Sequence, residues 1–177
     1  MTLFDHITEG LQKFGYIVSE DIIHDGVDYI AFVENPPPLK VRNLCAVLTP
    51  PGVVRSNAAA KAFFSKVRKG LLNKYGNAVL WKELEICWVV RCDNEVYEEL
   101  KQSEGKAVAE AQFSLNAMMG TIFVNTKTFE YFEHSTWGLY FSGSHFKALH
   151  QAVVDWCQEN KGESPPASPP PAAPETP

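Results

Sequence analysis

A helical period over the first fourteen residues gives way, after Gly15, to three successive runs of β-branched and aromatic side chains. That order constrains the fold more than any other feature. Leu3, Phe4, Ile7, Leu11 and Phe14 recur at helical spacing, Thr2 and Asp5 stand where a capping pair would, and Gly15 supplies the stop. The runs Tyr16–Val18, Val27–Val33 and Val41–Leu48 follow, punctuated by Asp25-Gly26 and by Asn35-Pro36-Pro37-Pro38. Strands joined by such short links pair antiparallel, so the opening reads as a helix followed by a meander rather than as alternating βαβ units.

Pro50-Pro51-Gly52 closes the third run, and Ser56 opens a long helix that reaches Tyr75 before Gly76-Asn77. Its apolar stripe is Ala60, Phe63, Phe64, Val67 and Leu71. From Glu83 to Cys92 the period becomes two: Leu84, Ile86, Trp88 and Val90 share one face, and Glu83, Glu85, Cys87, Val89 and Arg91 the other. This predicts a half-buried strand. Asp93-Asn94 begins a further helical stretch, interrupted near Gly105. Strands are expected at Thr121–Val124, Thr128–Phe132 and Trp137–Phe141, then a last helix capped by Ser144 that buries Phe146, Leu149, Val153 and Trp156 or Cys157. The expected fold class is α+β, a mainly antiparallel sheet flanked by helices in the order α-β-β-β-α-β-α-β-β-β-α.

Residues 1–160 form the expected single domain. Seven of the 12 prolines fall in residues 161–177, which lack any aromatic or branched aliphatic side chain to offset ordering entropy, so this stretch reads as a disordered Pro/Ala-rich tail. No apolar run approaches the roughly 20 residues of a bilayer span, and the opening residues lack the basic and apolar regions of a secretory signal. No membrane association is expected. The four cysteines, Cys45, Cys87, Cys92 and Cys157, form no Cys-x-x-Cys pair, and Cys87 and Cys92 are five apart on a strand and so point to opposite faces. They read as buried reduced thiols of a cytoplasmic protein, and no metal site or cofactor is expected.

Charge is segregated. Residues 1–34 hold seven acids and one base, residues 55–82 hold seven bases and no acid, and residues 83–110 return to acid. On the 56–75 helix, Lys61, Lys66, Arg68 and Lys69 spread over the side away from the apolar stripe, a face able to bind an anion or a nucleic acid. A net charge of −5 would repel a polyanion elsewhere, so nucleic acid is disfavoured as a partner. Phosphate-loop, nucleophile-elbow and zinc-protease spacings are absent, and His145 and His150, five apart, miss a common helical face.

The strand carboxylates are the remaining chemistry. Asp28 and Glu34 share a face by parity, as do Glu83 and Glu85, and converging carboxylates hold divalent metal or do acid–base work. With the helix, three strands and helix before them, they make the first half similar in order to metal-dependent nucleases of the restriction-endonuclease type. That likeness would imply a hydrolase, but the family's Asp followed by Glu-x-Lys on the next strand is not reproduced. Val41–Leu48 has no acid, and Glu99-Leu100-Lys101 and Glu104-Gly105-Lys106 lie in expected helix. The same order also resembles the small α+β domains of secretion chaperones, which dimerise and bind extended segments of partner proteins.

Rings crowd the last third: Phe123, Phe129, Tyr131, Phe132, Trp137, Tyr140, Phe141 and Phe146. Strand parity sends them to both faces, so either helices cover both sides of the sheet or one side meets a partner. The expectation is a non-enzymatic binding or assembly module, a homo-oligomer or the ligand of another protein, associating through Tyr131, Trp137, Tyr140 and Phe141. The alternatives are a metal-dependent hydrolase using Asp28, Glu34, Glu83 and Glu85, and an anion binder using the basic helix.

Overall fold

A computed structural model describes residues 1–23, 27–34, 42–53, 57–75, 83–103, 120–134 and 143–161. The expected strand Trp137–Phe141, the continuation of helix past Gly105 and the tail beyond Lys161 lie outside the described residues.

The chain runs α1 (Leu3–Lys13), β1 (Tyr16–Ile23), β2 (Val27–Glu34), β3 (Arg42–Leu48), α2 (Asn57–Tyr75), β4 (Glu83–Cys92), α3 (Asn94–Gln102), β5 (Gly120–Asn125), β6 (Tyr131–His134) and α4 (Gly143–Lys161). The six strands form one sheet in sequence order, β1-β2-β3-β4-β5-β6. β1–β2, β2–β3 and β5–β6 pair antiparallel, while β3–β4 and β4–β5 pair parallel. The sheet is therefore mixed, which corrects the expectation of a mainly antiparallel one. The cause is the connections. α2 carries the chain back along the sheet before β4, and the segment containing α3 does so before β5, so each following strand enters from the same end as its predecessor. The α+β class holds.

α1 shows how local sequence sets an element. The Thr2 hydroxyl accepts from the Asp5 N–H at 3.2 Å, and the Thr2 N–H donates to the Asp5 carboxylate at 3.0 Å, closing a capping box. The Thr2 hydroxyl also donates to this carboxylate at 2.6 Å, and that bond, followed by the one from the Thr2 N–H, holds the Asp5 carboxyl below its ordinary range. At the other end Gly15 takes φ +86°, and its N–H donates to the Gln12 carbonyl, the left-handed stop that a glycine allows.

Helices cover both faces of the sheet. On one, Leu3, Ile7 and Leu11 of α1 and Phe146, Leu149, Val153 and Cys157 of α4 bury Ile30, Phe32, Leu44, Leu48, Val89, Ile122 and Val124. On the other, Phe64, Val67 and Leu71 of α2 and Tyr97 and Leu100 of α3 bury Tyr29, Val47, Ile86, Trp88, Val90 and Phe123. β4 is thus not half-buried, as its alternation implied. Cys87 and Val89 are as buried as Ile86, Trp88 and Val90, because each face has its own helical layer. The parity argument for the cysteines stands: Cys87 enters the first core and Cys92 the second.

α1 and α4 approach closely. A Cβ placed on Gly10 would lie 2.6 Å from the Ala152 Cβ, so glycine is what lets the two backbones meet.

Candidate functional site

Register, which follows from the backbone alone, separates the four candidate carboxylates. Asp28 opens β2 and pairs with Ile22 and Leu48, at the end of the sheet where the parallel strands finish. Glu34 pairs with Tyr16, Glu83 with Arg42 and Glu85 with Leu44, all at the opposite end. Asp28 and Glu34 are six residues apart on one extended strand, about 20 Å. The sheet therefore brings Glu34, Glu83 and Glu85 toward one end and leaves Asp28 at the other.

What Asp28 meets is a cation. The Arg91 guanidinium lies 3.8 Å from the Asp28 carboxylate, donates from Nε to the Thr49 carbonyl at 2.6 Å, and the Arg91 N–H donates to the Thr49 hydroxyl at 3.1 Å. Burial pulls the guanidinium below its ordinary value while Asp28 works in the opposite sense. Beside it, Asn125 is fully buried; its side-chain oxygen accepts from the Lys127 and Thr128 N–H groups and its amide donates to Asn94. The Thr126 hydroxyl donates to the Cys92 carbonyl. These bonds close the ends of β3, β4 and β5 onto one another, so the polar residues here are spent on the fold's own backbone. Among the described residues no three His, Cys, Asp or Glu side chains are grouped to hold a metal ion.

The four thiols are free and buried. Burial pushes Cys45, Cys92 and Cys157 up to about 12 and raises Cys87 well above its ordinary value, so none is a thiolate at neutral pH.

Of the basic helix, Lys66 and Lys69 are exposed and Arg68 is half-buried. Lys61 takes its place within α2. Lys74, on the last turn, donates to the Tyr29 hydroxyl at 2.9 Å and so ties α2 to β2.

Of the described rings of the last third, Phe123 and Phe146 are buried and Phe129 and Phe132 half-buried. Phe123 stacks on Phe132 at 4.5 Å between centroids, and Tyr97 of α3 meets Phe132 edge-on. Phe129, which takes a left-handed backbone at φ 55°, meets Trp156 of α4. Tyr131 alone of the described aromatic strand residues in this region stays exposed, beside the His150–Glu133 pair at 3.3 Å. Trp137, Tyr140 and Phe141 lie outside the described residues.

Two further apolar side chains open to water lie at the other edge of the sheet. Ile17 is 50 % exposed and Phe14 55 % exposed. β1 is the terminal strand, paired over all eight residues with β2 and, among the described residues, with nothing on its other side. The run YIVSEDII carries no proline, lysine or bulge, and of the devices that protect a strand edge from a further strand it holds only the two acids Glu20 and Asp21. Sequence reading stopped this strand at Val18, because Ser19, Glu20 and Asp21 break the apolar run. The signal it passed over was Ile22-Ile23, which resumes the run before the turn at Asp25-Gly26.

The chain matches no family model, no curated protein and no solved structure. Among the described residues no helix is long and apolar enough to cross a membrane.

Proposed function

We propose that this chain is a non-enzymatic binding and assembly module that associates with a second copy of itself through the β1 edge of the sheet. The supporting observation is a regular eight-residue strand that pairs with β2 alone among the described residues, with the exposed apolar side chains Ile17 and Phe14 at its start. Edge backbone groups and an adjacent apolar surface are what strand addition uses: main-chain hydrogen bonds supply affinity and the neighbouring side chains supply selectivity. The strand is close to self-complementary, with apolar residues at both ends, Tyr16-Ile17-Val18 and Ile22-Ile23, and its acids between them. An antiparallel copy therefore sets apolar end beside apolar end. The proposal moves the expected contact from the aromatic face near Tyr131 to the opposite edge, since α3 and α4 occupy the faces there.

Sedimentation velocity on the full chain tests it. The wild type should sediment as a dimer, and Ile17→Asp, which adds a third acid to a strand that already carries Glu20 and Asp21 at an exposed position outside the core, should sediment as a monomer with unchanged circular dichroism. A wild type that remains monomeric at the highest attainable concentration, or an Ile17→Asp dimer indistinguishable from it, overturns the proposal.

A further inference from the structure

No further inference is drawn: the strongest candidate, the seam between α1 and α4 where the buried Nδ1 of His6 has no hydrogen-bond partner among the described residues and lies 3.7 Å from the Glu159 carboxylate, carries nothing, because two side chains do not make a cation site and no third His, Cys, Asp or Glu among the described residues joins them.

Discussion

Gly10→Ala puts opposing terms of similar size into one substitution, and the structure decides the sign. In an isolated helix alanine would gain about 1 kcal/mol over glycine. Here the new Cβ would sit 2.6 Å from the Ala152 Cβ, whereas carbon atoms in contact prefer about 3.5–4.0 Å. α1 and α4 must therefore separate by about 1 Å along the seam that holds Leu3, Ile7, Leu11, Leu149 and Val153, and gaps of 0.5–1 Å forfeit about a quarter to a half of each contact. Overpacking of this kind costs about 1–3 kcal/mol, so against the helix gain the net effect is a loss of up to about 2 kcal/mol, or up to about 8 °C in Tm for a domain of this size. Urea and thermal unfolding of Gly10→Ala, Ala152→Gly and the double variant measure it. Ala152→Gly removes the clashing atom and carries its own helix penalty of about 1 kcal/mol, so the double variant should recover the clash. The cycle should show a coupling of about 1–2 kcal/mol. A stabilised Gly10→Ala, or a cycle that is additive, would refute the close crossing and with it the placement of α1 against α4.

Two further outcomes follow from the buried polar groups. Because burial holds Cys45, Cys92 and Cys157 near 12 against an ordinary value of 9.0, the folded chain keeps protons that the unfolded chain releases; stability is complete below pH 9 and falls as pH climbs toward 12. Urea midpoints measured from pH 7 to 11 should show that fall, and Ellman's reagent at pH 8 should find no reactive thiol until the protein unfolds; rapid native labelling would contradict the placement of the thiols. The Tyr97 hydroxyl is buried without a hydrogen-bond partner, and burial together with Glu130 raises it to about 12. Tyr97→Phe keeps the ring against Phe132 and should leave stability unchanged or raise it by about 1 kcal/mol; a loss of that size in the denaturation midpoint would reveal a partner for the hydroxyl.

The sequence spoke clearly wherever a side-chain period met a local stop. The capping pair Thr2 and Asp5, the stop at Gly15, the end of α2 at Tyr75 and the opposite facing of Cys87 and Cys92 all depend on residues near one another in the chain. Strand direction does not. The alternation of β4 reports which residues share a face and is the same whether its neighbours run parallel or antiparallel, so the mixed sheet was invisible until α2 and α3 were seen to carry the chain back. The same blindness hid Arg91, whose partners Thr49 and Asp28 lie 42 and 63 positions away. Asp28 looked like part of a carboxylate set because parity grouped it with Glu34. Length along the strand, which parity ignores, put the two at opposite ends.

Two surfaces among the described residues differ in kind. Around Tyr131 an exposed ring stands beside a His150–Glu133 pair made within the chain, and His150 of α4 lies against it. The described contacts there are side chain to side chain. Along β1 the unspent groups belong to the backbone, whose hydrogen-bonding capacity no substitution of surface residues removes short of proline. A partner at β1 therefore gains from every residue it aligns, and the energy grows with overlap until acids oppose one another. That dependence on length, rather than on any one side chain, is what suits an eight-residue edge to strand addition.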